Sequence, residues 1–190
     1  VDLVKTGVGV CDISHICKLN IQGQDLDNDL ATAFPSARRL RVGETLQVNN
    51  HTVLARVAQD EAWVTTQAEY LTPITDQLVL NNKGCFHVID NTSSLAGVII
   101  IGPHSNILLA SITELDVSPS TFKNQDCAQS QFAGVRGTLI RSDSVELPSY
   151  TLYFSREYGD YMWESLIKAG QNHSITPFGT EALSIIRSHP

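Results

Sequence analysis

A chain of 190 residues with 42% hydrophobic and 17% charged content can bury roughly 70% of its unfolded surface, which excludes an intrinsically disordered protein. Its net charge of -7 excludes the positive field that a nucleic-acid or anionic-membrane partner requires. No apolar run approaches the roughly 18 residues of a membrane span and no basic segment leads into one, so the expectation is a soluble, cytoplasmic protein with one domain over residues 1–190.

Val8 to Ile21 is predicted as a continuous strand, kinked at the Gly7 and Gly9 positions. From Asp25 onward, Leu26, Leu30, Ala33 and Phe34 recur at helical spacing, and Pro35 ends the helix by disfavouring helical geometry in the residue before it. Arg38 to Glu44 reads as a loop whose Arg38, Arg39 and Arg41 are either a solvated face or a grip on a phosphate or carboxylate. Three short antiparallel strands follow, Thr45 to Val48, Val53 to Val57 and Ala62 to Thr65, with turns at Asn49-Asn50 and Gln59-Asp60. Thr72-Pro73 then reads as a hydroxyl cap with proline at the first helical position. Ile74, Leu78 and Val79 supply the buried face to Leu80, and Asn81-Asn82-Lys83-Gly84 ends the helix.

The stretch from Val88 to Leu109 organises the rest: a short extended run, a polar break at Asn91 to Ser94, then an apolar strand from Leu95 to Ile101. Four consecutive β-branched residues, Val98 to Ile101, favour a strand buried on both faces. Gly102 ends it, and Pro103 suits the first turn of a helix running through Ile112. Leu115 to Asp126 reads as loop, followed by strands Cys127 to Phe132, Val135 to Arg141 and Tyr150 to Phe154, with a polar connection at Ser142 to Ser149. Glu157 to Ala169 is predicted helical, with Tyr158, Tyr161, Met162, Leu166 and Ala169 as its apolar stripe and Gly170 as its stop. A last helix spans Phe178 to Arg187.

Asp12 to Gly23 is a fainter copy of the organising stretch, with Asp90 lying 78 positions after Asp12 and Gly102 lying 79 after Gly23. Leu54-Ala55-Arg56 and Leu139-Ile140-Arg141 echo each other 85 positions apart. Tandem duplication into halves of about 1–84 and 85–190 explains this, against chance likeness of two strand-helix units. The pattern predicts an α+β fold of two pseudo-repeated halves, with antiparallel sheets and helices packed on one face of each.

The chain contains no Gly-rich phosphate loop, His-Glu-x-x-His or nucleophile elbow. On one strand Asp12 and Ser14 would point one way and His15 the other, so they form no triad. Asp90 is either a general acid or base at a strand end or the cap of the Asn91 to Ser94 turn. Cys11, His15 and Cys17 would share one strand face at period two, which invites a metal, but the usual zinc spacing is absent and buried cysteines are the alternative. No metal site is expected.

Asp12-Ile13-Ser14-His15-Ile16-Cys17-Lys18 resembles the Asp-x-Ser-His-x-x-Lys stretch of the glycine-cleavage T-protein family, the folate-dependent aminomethyltransferases. Leu95 to Leu108 with Gly102-Pro103, Trp163-Glu164-Ser165-Leu166 with Ala169-Gly170, and Ile175-x-Pro177-x-Gly179 are similar to further segments of that family. The resemblance implies the fold of that family's folate-binding region. The family's Gly-rich segment with the catalytic Asp has no counterpart between Trp63 and Thr72, its pterin-holding Thr-Gly-Tyr-Thr-Gly-Glu is replaced by Ser142 to Ser149, and its C-terminal barrel has no counterpart.

Cys127-Ala128-Gln129 and the Tyr150 to Trp163 pattern look like the small gamma subunit of heterotetrameric sarcosine oxidases. That resemblance implies a non-catalytic accessory subunit without catalytic residues or cofactor of its own, contributing to a sarcosine oxidase-type amine oxidoreductase. FAD, FMN and NAD would enter only through larger flavoprotein partner subunits. The alternative is a small tetrahydrofolate-binding protein or aminomethyltransferase-like one-carbon carrier with a pocket between its halves. There Ile16 would face folate, His15 and Asp90 would lend polarity, and Asp143 or Glu146 would replace the pterin anchor.

Overall fold

The computed structural model describes residues 2–82, 86–144 and 147–188. In chain order the first elements are α1 (Asp2–Thr6), β1 (Val8–Asp12), β2 (Cys17–Gly23), α2 (Leu26–Ala33), β3 (Thr45–Asn49), β4 (Thr52–Ala58), β5 (Glu61–Thr66) and α3 (Ala68–Asn81). They are followed by β6 (Phe86–Asp90), β7 (Leu95–Ile101), α4 (Ser105–Ala110), β8 (Cys127–Phe132), β9 (Val135–Arg141), β10 (Ser149–Ser155), α5 (Gly159–Gly170), β11 (Ile175–Pro177) and α6 (Thr180–Ser188). The fold is α+β, as the pattern of elements predicts.

Two compact units emerge, Val1–Ser14 with Leu95–Pro190, and His15–Ser94. They are not the sequence halves, because each sheet takes a strand from the other half. In the first unit a six-stranded sheet has the order β11-β1-β7-β10-β9-β8, antiparallel except where β11 lies parallel to β1. In the second, a five-stranded antiparallel sheet has the order β3-β4-β5-β2-β6. The same path recurs in both: β2-α2-β3-β4-β5-α3 in one, β7-α4-β8-β9-β10-α5 in the other. The registers recur too. Arg56 of β4 lies opposite Ala62 of β5, and Arg141 of β9 opposite Tyr150 of β10.

β7 runs between β1 and β10, and Val98 to Ile101 are each at most 4% exposed, as a β-branched strand buried on both faces should be. Val8, Val10, Ile100, Leu152, Phe154, Met162 and Leu166 share one hydrophobic core. Leu19, Ile21, Leu30, Leu54, Val64, Ile74 and Leu78 form the core of the second unit.

Several elements depart from their expected bounds. Val8 to Ile21 is two strands in two sheets, broken at residues 13–16 by a turn built from side chains rather than from Gly or Pro. α3 starts at Ala68, so Pro73 lies inside it, and the preceding turn carries Leu71, which packs partly buried against the core. Val79, expected on the buried face of α3, is 60% exposed. α4 starts at Ser105 behind His104 and stops at Ala110, short of Ile112. Pro103 therefore precedes the helix, and Gly102 is suited to its place twice over, by its φ of +125 and because a Cβ there would lie 2.5 Å from the Gly7 carbonyl oxygen. On α5, Met162 and Leu166 are buried but Tyr161 is exposed, its hydroxyl donating to the Ala133 carbonyl at 2.9 Å, and Tyr158, just before the helix, is exposed too. Lys83 and Gly84, expected to end α3, lie outside the described residues.

Candidate functional site

The candidate residues from the Asp12 and Asp90 stretches fall in two turns with the same wiring. Asp12 Oδ1 accepts from the Ser14 amide at 2.8 Å, and Asp90 Oδ1 accepts from the Thr92 amide at 2.8 Å. The Ser14 hydroxyl accepts from the Gly97 amide at 3.2 Å, and the Thr92 hydroxyl from the Lys18 amide at 3.0 Å. The intervening amides complete the match: Ile13 donates to the Gly97 carbonyl and Asn91 to the Lys18 carbonyl, both at 2.8 Å. Each Asp-x-Ser/Thr is thus a turn whose carboxylate orders the loop and whose hydroxyl ties it to a strand distant in sequence. Asp12 and Asp90 are exposed, His15 is exposed and Ile16 half-buried in the first turn. Each carboxylate caps its own turn through Oδ1.

The replaced segment after β9 also holds its carboxylate in place. Arg141 grips Asp143 bidentately, Nε to Oδ1 at 2.9 Å and Nη2 to Oδ2 at 2.8 Å, while Nη1 donates to the Phe122 carbonyl at 2.5 Å. Asp143 Oδ1 also accepts from the Ser149 amide at 3.2 Å, and the Asp143 amide donates to Asn124 Oδ1 at 2.9 Å. The Arg141 guanidinium lies 5.5 Å from the Tyr150 ring centroid. Hydrogen bonding to Asp143 raises the Arg141 pKa above its ordinary value, against the opposing effect of burial. Burial raises the Tyr150 hydroxyl, which Arg141 partly offsets. A carboxylate already bonded on both oxygens by a buried arginine is a poor anchor for the ring nitrogens of a pterin. Glu146, the other candidate, lies outside the described residues.

The premise of a Cys11, His15 and Cys17 metal site disappears with the single strand that would have aligned them. Cys11 is on β1, Cys17 on β2, both buried, and His15 is in the turn. Among the described residues no three His, Cys, Asp or Glu side chains converge as metal ligands. Of the arginine loop, Arg38 and Arg39 are exposed, and Arg41 pairs with Glu44 at 2.5 Å. That pairing holds the Glu44 carboxyl below its usual range.

Sequence reasoning passed over a polar row on β2 and β5. Asn20 Nδ2 and Trp63 Nε1 both donate to Glu61 Oε1, at 2.5 and 2.8 Å, and Lys18 is 1% exposed on the same face of β2. Its signal was the alternation Lys18-x-Asn20-x-Gln22, polar at every second strand position. Among the described residues no helix is long and apolar enough to cross a membrane.

The chain is 27% identical over 202 residues to the sarcosine oxidase subunit alpha of Rhizobium meliloti, covering 97% of the chain but 20% of that protein. To the aminomethyltransferase of Caldanaerobacter subterraneus it is 24% identical over 205 residues, covering 98% of the chain and 52% of that protein. The chain therefore spans about a fifth to a half of these relatives. Its fold matches a chain of the heterotetrameric sarcosine oxidase from Corynebacterium sp. U-96 with TM-score 0.78 and 17% identity, covering 90% of this chain and 88% of that one. It also matches the glycine cleavage system aminomethyltransferase T from Bartonella henselae with TM-score 0.80 and 17% identity, covering 97% of this chain and 51% of that one. The GCVT N-terminal domain profile matches residues 1–189, and the chain belongs to that family.

Proposed function

We propose that this chain is a non-catalytic, subunit-type member of the family, resembling the gamma subunit of sarcosine oxidase and assembling with larger flavin-containing chains in secondary-amine oxidation. The observation that carries the reading is the fate of its carboxylates. Asp90 caps its turn through Oδ1 and Asp143 is clamped by Arg141, so each described acid weighed for the pocket already accepts hydrogen bonds from this chain. The match that covers nine-tenths of this chain and 88% of a chain in a heterotetrameric sarcosine oxidase supports the same reading.

The test is isothermal titration with tetrahydrofolate and its 5-formyl derivative, at concentrations that detect a dissociation constant of about 100 μM. The expected result is no heat beyond dilution. Saturable binding overturns the reading in favour of a folate carrier. Co-expression with the flavin-containing subunits of a sarcosine oxidase checks assembly: co-elution at fixed stoichiometry is expected, and separate elution of folded chains counts against it.

A further inference from the structure

The second unit carries an open depression of about 680 Å³ at one end of its sheet, where the end of β2 meets the starts of β5 and β6. Gln22, Asp25, Asp60, Glu61 and His87 line it, with no lysine, arginine or apolar side chain in the lining. Arg56 of β4 is 1% exposed and pairs with Asp27 at 3.1 Å, outside that lining.

Acidic walls alone select no ligand, but the polar row behind them does. Asn20 lies opposite Trp63 and Gln22 opposite Glu61, so the bond from Asn20 Nδ2 to Glu61 Oε1 runs diagonally, toward the depression. Trp63 Nε1 donates to the same oxygen and leans the same way along β5. Glu61 is thus fixed through Oε1, while its Oε2 accepts from no described residue. Asn20 is 6% exposed, and its Oδ1 has no hydrogen-bond partner. A buried acceptor without a donor is both rare and costly. The group that completes this corner is one that only donates, and an ammonium brings three N–H donors and no acceptor.

We propose that the depression binds a linear aliphatic di- or polyamine, one ammonium serving Glu61 and Asn20 and another meeting Asp25 or Asp60. A divalent metal is the competing occupant of neighbouring carboxylates, but among the described residues no three His, Cys, Asp or Glu side chains converge as its ligands. Carboxylates set apart suit charges set apart along one chain. A guanidinium favours both oxygens of one carboxylate, and Glu61 Oε1 already accepts two bonds.

Isothermal titration of the intact chain with spermidine tests this, at about 0.15 M salt to screen the field of a net charge of -7. Saturable one-to-one binding with a dissociation constant of about 1 mM or tighter is expected. Asp60→Asn and Glu61→Gln should each weaken it at least about threefold. Their thermal midpoints should stay unchanged, because Asp60 is exposed and the new glutamine keeps a carbonyl oxygen for Asn20 and Trp63. Glu69→Gln removes the same charge from an exposed site on α3, past the other end of β5, and should leave affinity unchanged. No saturable heat, an equal loss in all three variants, wild-type affinity in both depression variants, or displacement of spermidine by Mg²⁺ at equal ionic strength overturns the proposal.

Discussion

Replacing Asp143 with alanine removes one side of an ion pair in which the Arg141 side chain is 8% exposed and Asp143 23% exposed. Breaking a fully buried pair this way costs about 3–5 kcal/mol. The exposure of Asp143 and the surviving bond from Arg141 to the Phe122 carbonyl reduce this to about 2–3 kcal/mol, which includes the lost bond from the Ser149 amide. In a chain of this size each kcal/mol moves the melting point by about 2–4 °C, so a drop of about 5–10 °C is expected. Urea and thermal unfolding measure it, with Asp143→Asn, which keeps shape and part of the bonding, expected to lose about half as much. A loss below about 0.5 kcal/mol would refute the reasoning. The pair would then be an ordinary surface bridge and the Asp143 carboxylate would be available to a ligand.

Asp12→Ala and Asp90→Ala should each cost about 1 kcal/mol, and the double variant should be additive within about 0.5 kcal/mol because the two turns share no bonding partner; chemical denaturation of the three proteins checks both statements. Gly102→Ala adds a Cβ 2.5 Å from the Gly7 carbonyl oxygen at φ +125, and a loss of at least about 3 kcal/mol, or failure to accumulate as folded protein, is expected. Burial, then the neighbouring Asp25, holds the Asp29 carboxyl above its usual range. A raised folded pKa means that the ionised group disfavours the folded state, fully above that pKa and not at all below the unfolded one. Asp29→Asn should therefore stabilise by a few tenths of a kcal/mol at about pH 7 and leave stability unchanged at about pH 3, as paired urea titrations would show.

Much of the fold was legible because it depends on neighbours in sequence. The β-branched run at Val98 to Ile101, the turn residues Asn49-Asn50 and Gln59-Asp60 between β3, β4 and β5, and the helical spacing of Leu26, Leu30 and Ala33 each declare their own element. The break inside Val8 to Ile21 did not. Asp12-x-Ser14 offers the same turn chemistry as Asp90-x-Thr92, but without a polar run like Asn91 to Ser94 around it the turn reads as strand, and its hydroxyl bonds to Gly97, 83 positions away. The start of α3 differs from the local signal at Thr72-Pro73: the helix begins at Ala68, and the extra turn packs Leu71, partly buried, against the core.

The candidate site divides along the same line. Residue types and spacing alone determined the α+β class and the repeated order of elements, while the candidacy of His15, Ile16 and Asp90 came from the resemblance to the aminomethyltransferase motif. Only the tertiary structure placed the donors around the carboxylates, because which donors lie within about 3 Å of a carboxylate depends on the fold around it. For Asp12 and Asp90 those donors are amides two residues on, and for Asp143 they come from a buried arginine. The exchange of β1 and β6 between the two sheets is likewise a property of three dimensions: both strands carry local sequence suited to either sheet, and pairing with β7 and β2 settles where they belong.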